Sequence, residues 1–258
     1  MARLHLFEFE DQAWFPDFLR DYMTAFLQFL ANTTKLFKPA IPILEEALRS
    51  SASPTIIDLG SGGGGGLIWI NQALKNSIPD LTIVLTDLYP NLAAFESTRA
   101  KASNIEFVTA PVDARNIPVN LVGLRTQFLS FHHFKPVDAQ RILQDAVDAE
   151  SPIAIFEAQE RSLPSVLAMM LSPITVFLVT PFIRPFTVGR IVFTYLIPLV
   201  PLFVLWDGVV SSLRTYSVSE MKNLVAGING SESYDWKIGR IRSGPGAILY
   251  LWGRSKND

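Results

Sequence analysis

The chain contains no cysteine. Disulfides and cysteine-ligated zinc or iron–sulfur centres are therefore excluded. Histidine is scarce too: His5, His132 and His133 are all there is. An adjacent pair plus one distant residue is a poor metal set, and no metal is expected. Charged residues make up only 18% of the chain, and 22 basic side chains face 24 acidic ones for a net charge of −2. Without a basic excess, nucleic acid is not an expected partner. The opening MARLHLFEFEDQ turns acidic within its first ten residues and has no apolar core behind a basic start. It does not read as a secretory signal, so a cytoplasmic location is expected.

Apolar residues, by contrast, are abundant at 49%. The mean hydropathy of +0.27 is high for a soluble enzyme. Most of the excess lies between Leu163 and Trp206. A length of 258 residues suits a single large α/β domain with insertions.

Along the chain, Trp14, Phe15, Phe18, Leu19, Tyr22, Met23, Phe26, Leu27 and Leu30 recur at steps of three and four. That spacing predicts an amphipathic helix over 11–31, with Asp11 as its cap. A second helix is expected over 42–50. TIIDLG (55–60) is a short, β-branched run that ends in glycine, as a buried strand does. Strands over 81–87, 105–113, 124–131 and 152–160 then alternate with helical segments, one of which carries Asp138 near its start. Such alternation implies right-handed βαβ units and a parallel sheet covered on both faces. VSEMKNLVAG is a helix with Gly227 in the place of a C-cap. Two further strands flank Ser243-Gly244-Pro245-Gly246, which makes them an antiparallel hairpin. The expected fold is a Rossmann-like three-layer α/β sandwich whose mostly parallel seven-stranded sheet ends in that hairpin. Its parts are an N-terminal helical cap (1–50), a cofactor-binding core (54–160), a hydrophobic helical insertion (161–213) and the terminal helix and hairpin (214–258).

Gly60 and Gly62 to Gly66 stand where a strand hands over to a helix. Without Cβ atoms the backbone can turn sharply and approach a ligand. The helix N-terminus that follows adds unpaired N–H groups. Gly60, Gly62 and Gly65 also satisfy G-x-G-x-x-G, so the loop alone suits a dinucleotide equally well. Asp58 extends the pattern to D-x-G-x-G-x-G. Asp87, at the end of the second strand, stands where a ribose-binding carboxylate belongs in either case, or caps the next helix. Asp113 follows the third strand, where a carboxylate can accept from an adenine amino group or simply sit solvated in a turn.

Taken together, IIDLGSGGGG, LTDLYP, APVDARNIP, LSFHHF and IFEAQE resemble the class I S-adenosylmethionine (SAM)-dependent methyltransferases over roughly residues 54–160, plus the terminal helix and hairpin. The resemblance implies SAM as cofactor. It implies that Asp58, Gly60, Gly62 and Gly64 surround the methionine part and that Asp87 binds the ribose. Asp113 would contact the adenine, and Ser130 with Phe131 would line the methyl-transfer site. Ser61, Leu88 and Ala114 are the adjoining cofactor candidates. Extra glycines at Gly65 and Gly66 depart from the family, which more often has larger residues there. The terminal hairpin argues against a plain nicotinamide fold, the rival enzyme reading. A membrane-associated binding protein on the same fold is the non-catalytic rival.

His132 and His133 follow the fourth strand and face the crevice, where a neutral imidazole can take a proton or merely shape the pocket. Glu157 is a third catalytic candidate. The uncharged runs 163–183 and 191–206 approach the length of a membrane span, but Pro173, Pro198 and Pro201 interrupt them. They are expected to form a lid that gives the site an apolar wall, to dip into one membrane leaflet at the inner face, or to serve as a homodimer contact or core packing. A small hydrophobic or lipid-like substrate follows from the first option. Its expected contacts are Trp14, Tyr22, Glu160, Asp207, Arg214 and Tyr216.

Overall fold

The computed structural model describes residues 1–244 and 246–256. Pro245 of the expected turn, and the last two residues of the segment 214–258, lie outside the described residues. In chain order the elements are α1 (Asp17–Thr33), α2 (Ile41–Arg49), β1 (Thr55–Leu59), α3 (Leu67–Leu74), β2 (Thr82–Thr86), α4 (Leu92–Arg99), β3 (Ile105–Phe107), β4 (Leu124–Phe128), α5 (Pro136–Asp148) and β5 (Ile153–Glu157). The insertion follows as α6 (Leu163–Met170), α7 (Ser172–Val179), α8 (Val188–Ile191) and α9 (Leu199–Arg214). The chain closes with α10 (Val218–Ala226), β6 (Tyr234–Ser243) and β7 (Gly246–Ser255). Among the described residues, seven strands form one sheet in the order β3-β2-β1-β4-β5-β7-β6. The first five run parallel, and β7 enters antiparallel between β5 and β6. Helices cover both faces, as the alternating sequence pattern requires.

The order reverses between β1 and β4, so the loops at their carboxyl ends diverge and open a crevice there. Both faces of the sheet are buried, which explains the unbroken apolar runs of its strands.

The N-terminal helix differs from expectation at its start. It begins at Asp17 behind Pro16, which fixes the turn into the helix, and Asp11 does not cap it. Residues before Pro16 instead form a strap along α9, irregular up to Glu8 and folded into turns over 9–15. Leu4 N donates to Leu213 O at 3.1 Å, and Asp207 Oδ1 and Oδ2 accept from Phe9 N and Glu10 N at 2.8 and 3.2 Å. The strap is fixed by a buried charge knot. Arg214 reaches Glu8 at 3.0 Å and Asp11 at 2.6 Å. His132 Nδ1 lies 2.8 Å from Glu157 and its Nε2 3.8 Å from Glu8. Glu8, His132, Glu157 and Arg214 are all buried.

Helix α1 then lies between two environments. Leu19, Met23 and Phe26 pack on Val176, Ile183, Val200 and Val204 of the insertion, while Gln28 and Asn32 turn towards the glycine loop. Among the described residues no single helix is long and apolar enough to cross a membrane.

The knot sets the pH window of stability. Burial alone would raise Glu8, but His133, His132 and Arg214 hold it down to about 2. Asp11 is depressed as well, against its own burial, by His133 and Arg214. Both contribute stability that is present above the ordinary carboxylate range and lost as pH falls through their folded values. Burial disfavours a charged His132, yet Glu157 and Glu8 outweigh it and push the imidazole up to about 10. Its contribution is full below its ordinary 6.5 and is lost as pH rises towards 10. Burial raises Asp207 to about 7, which also erodes stability as pH rises. Thermal melts are therefore expected to peak in mildly acidic buffer and to fall by several degrees towards pH ~9. His132→Gln should lower Tm at pH ~6 and flatten the alkaline fall. An alkaline limb unchanged in this variant would show that His132 is not charged.

Candidate functional site

A cavity of about 390 Å³ opens at the carboxyl ends of the strands. Its floor is the turn after β1. Gly60, Gly62, Gly64 and Gly65 have φ of +66°, +55°, +90° and +42°, the left-handed region that glycine alone enters without penalty. A Cβ on Gly60 would meet Ser130 at 3.2 Å.

Asp58 does not line this cavity. It is buried beneath the loop, where Oδ2 accepts from Ser61 Oγ and Oδ1 from Thr126 Oγ1, both at 2.7 Å. Burial lifts its carboxyl to about 7. Thr86 Oγ1 donates to Asp58 O at 2.7 Å, and Ser61 N donates to Thr86 O at 2.9 Å. Asp58 therefore pins the loop to the sheet rather than facing a ligand, a correction to the role that the resemblance implied.

Asp87 faces the cavity from the end of β2. Its Oδ2 accepts from Gly62 N at 2.8 Å and its Oδ1 from Tyr89 N at 2.9 Å. Each oxygen keeps a further lone pair for a ligand hydroxyl. The cap of α4 is Asn91, whose side chain accepts from Ala94 N, so Asp87 is not spent as a helix cap. Asp113 also lines the cavity, but its carboxylate is already gripped by Arg115, with Nη2 to Oδ2 at 2.7 Å and Nε to Oδ1 at 2.9 Å. That ion pair lowers its pKa.

Gly60, Ser61, Gly62, Leu88, Ala114, Ser130 and His133 border the same space. Gly64 sits in the loop behind them. Phe131 points the other way, into the core beside Tyr216 at a ring separation of 5.5 Å. Leu129, between β4 and Ser130, holds φ +56° at the cavity edge, a strained setting for a branched side chain.

The adjacent histidines part company. His132 is turned into the knot and Glu157 is fully buried behind it, so neither meets the cavity. Glu157 Oε1 also accepts from His132 N at 3.0 Å, which holds the turn after β4 in place. His133 lines the cavity with its Nδ1 2.7 Å from Asp11 Oδ1 and 3.4 Å from Glu8 Oε2. Ligand atoms of Glu8, His132 and His133 lie within 4.8 Å of one another, a grouping the sequence hid because Glu8 is remote. Arg214 already supplies a positive charge to these carboxylates.

The expected substrate contacts are not assembled here. Trp14 is 68% exposed and lies outside the cavity lining. Tyr22 turns to the insertion, with its hydroxyl over Gly189. Glu160 makes a two-pronged surface pair with Arg240 at 2.8 and 2.9 Å. Asp207 and Arg214 anchor the strap, and the Tyr216 hydroxyl donates to Phe134 O at 2.8 Å. Among the described residues the insertion 161–213 contributes nothing to the lining. The wall comes instead from the strap and α1, through Glu10, Asp11, Arg20, Thr24, Leu27 and Gln28. The expectation of an apolar lid from the insertion is corrected accordingly: α1 stands between it and the cavity.

Sequence reasoning missed the polar face of α1. Gln28 Nε2 donates to Gly63 O, Asn32 Nδ2 donates to Gly65 O at 2.7 Å, and Asn32 Oδ1 accepts from Trp69 N at 2.9 Å near the start of α3. The available signal was two amides four apart on a helix whose other face is apolar.

No protein-family model matches the chain, and no curated protein does either. Among solved structures it is similar to the plantazolicin methyltransferase BpumL in complex with SAH, at 13% identity and a TM-score of 0.50, over 93% of this chain and 97% of that one. It is also similar to PigF with SAH, at 17% identity and a TM-score of 0.50, over 95% of this chain and 63% of the other. It thus spans less than two thirds of the second relative's length. The chain has the Rossmann-like fold of the class I SAM-dependent methyltransferases.

Proposed function

We propose that the chain is a SAM-dependent methyltransferase acting on an oxygen, nitrogen or carbon nucleophile of a small acceptor. The carrying observation is the donor inventory of the glycine loop. A dinucleotide needs free loop and helix N–H groups aimed at its pyrophosphate. Here Gly62 N is given to Asp87, Gly64 N to Ser61 O at 2.7 Å, Leu67 N to Gly64 O at 3.1 Å and Trp69 N to Asn32. The loop keeps its close, Cβ-free approach, but these four N–H groups are already engaged within the protein. That combination favours SAM, which carries no phosphate, over a nicotinamide dinucleotide.

The residues fit that cofactor. Asp87 retains lone pairs for ribose hydroxyls, and the left-handed glycines leave room for a chain beside Ser130. Phe37, Val112, Phe128 and Leu129 give the cavity apolar walls that suit flat or hydrophobic groups. When bound, SAM supplies a methyl group on a positively charged sulfur that is an intrinsically good leaving group. The protein's share is then alignment and, for a hydroxyl or amine acceptor, removal of a proton. His133 is placed for that proton: with Nδ1–H donated to Asp11, the lone pair lies on Nε2 of a ring that borders the cavity. His132 and Glu157 position it from behind and take no proton from substrate.

Calorimetry with S-adenosylhomocysteine tests the cofactor. Wild type should bind and NADH should not. Asp87→Asn should weaken binding by 10- to 100-fold, on the order of 1.5–3 kcal/mol for a charge-assisted hydrogen bond. A wild-type protein that ignores S-adenosylhomocysteine would sink the proposal. For the base, methyl transfer from labelled SAM is screened across small hydroxylated and aminated aromatics. His133→Ala should then reduce turnover by about 10²–10⁴ with S-adenosylhomocysteine affinity unchanged. Full activity in that variant would leave alignment alone as the mechanism.

A further inference from the structure

We infer that the outer face of the insertion docks into one leaflet of a lipid bilayer, a role independent of methyl transfer. From Arg161 to Trp206 the sequence holds no acidic residue and no lysine. The structure shows where its side chains go, and the arrangement is inverted relative to a helix that faces water. Leu163, Leu171, Leu178, Phe182, Val188 and Leu196 are each at least 60% exposed, with Leu196 at 77%. The hydroxyls of Ser172, Thr180 and Thr194 point inward and are buried. Thr180 Oγ1 returns its hydrogen bond to Val176 O at 2.7 Å, and the hydroxyl of the outward-lying Tyr195 donates to Phe177 O at 2.5 Å. Helix α6 buries none of its residues.

An apolar face of this extent is uncommon on a monomer in water and marks a contact surface. Hydrogen bonding and charge indicate the occupant. Protein interfaces carry a polar rim and about one hydrogen bond per 100–200 Å². Here the hydroxyls of Ser172, Thr180 and Thr194 are turned in, away from the exposed face, so a second chain would find little to pair with. Hydrocarbon asks for no partners, provided the backbone is satisfied internally, as helices achieve. The charges agree. Arg190 is buried, with Nη2 donating to Ile183 O at 2.8 Å and Pro185 O at 2.6 Å, and Arg161 pairs with Glu220 at 2.8 Å. Arg184 is left as the exposed charge of the described segment, a cation suited to an anionic headgroup.

Depth follows from length. The pairs Leu163–Met170 with Ser172–Phe182, and Val188–Leu196 with Leu199–Arg214, bend by 41° and 77° at their breaks. A straight eight-residue helix such as α6 or α7 is about 12 Å long, against a hydrocarbon core of about 30 Å. No single helix here is long and apolar enough to span, and the bends at the breaks favour entry into one leaflet. Phe18 of α1, 43% exposed and 5.2 Å from the ring of Phe193, extends the same face.

The test is flotation of the full chain on a density gradient with phosphatidylcholine vesicles and, separately, with vesicles containing phosphatidylglycerol. Wild type should float with both, more completely with the anionic set. Ile174→Glu combined with Leu178→Glu places two carboxylates one turn apart on exposed positions of α7. This variant should lose at least ten-fold in vesicle partitioning while keeping its circular dichroism and melting temperature. Arg184→Gln should abolish the preference for anionic vesicles and leave binding to the neutral ones. Wild type that stays at the bottom of both gradients would overturn the inference. So would a stable dimer in light scattering that the double variant dissociates, because the face would then belong to a second copy. Neither readout involves SAM, so failure here leaves the methyl-transfer reading untouched, and the reverse also holds.

Discussion

Four ionisable side chains with almost no access to water, Glu8, His132, Glu157 and Arg214, come from four separate stretches of chain and meet at one point. Taking any of them out of water alone would be prohibitive, so each is tolerable only because the others are present. Removing one partner of a buried pair typically costs about 3–5 kcal/mol, since the remaining charge is stranded. The knot thus makes placement of the N-terminal strap close to all-or-none. From that placement follow the wall over the glycine loop and the position of Asp11 beside His133. Asp207 makes a second attachment by accepting two consecutive strap amides.

The sheet and the glycine turn were legible because their causes are local. A β-branched run between turn residues reads as a strand wherever it occurs, and a left-handed backbone calls for glycine whatever lies beyond. Hence β1, β2 and the terminal hairpin lie where the periodicity put them, while the strands expected over 105–113, 124–131 and 152–160 start in place but stop at Phe107, Phe128 and Glu157. The strap and the insertion were illegible for the opposite reason. The partner of Glu8 is Arg214, at the far end of the chain, and no spacing rule links them. Asp207, Arg214 and Tyr216 looked like substrate anchors because polar residues at the rim of an apolar segment invite that reading. They hold the chain's own first residues instead. Asp11 was seen as a cap because it precedes an amphipathic run, but Pro16 intervenes and sets the helix start. Of the two histidines, nothing in a bare His-His pair says which ring turns inward. That is decided by Glu157 on the neighbouring strand.

Helix α1 is a partition shared by two compartments. Gln28 and Asn32 on one side grip the carbonyls of the glycine loop, while Leu19, Met23 and Phe26 on the other are seated in the insertion. A rigid body held from both sides does not answer to either alone. Any free energy by which a filled cavity steadied that seat in the insertion would be returned to the cavity by whatever rests on the insertion, because binding linkage is reciprocal. The two ends of the molecule therefore meet on one helix, although no residue of the insertion lines the cavity.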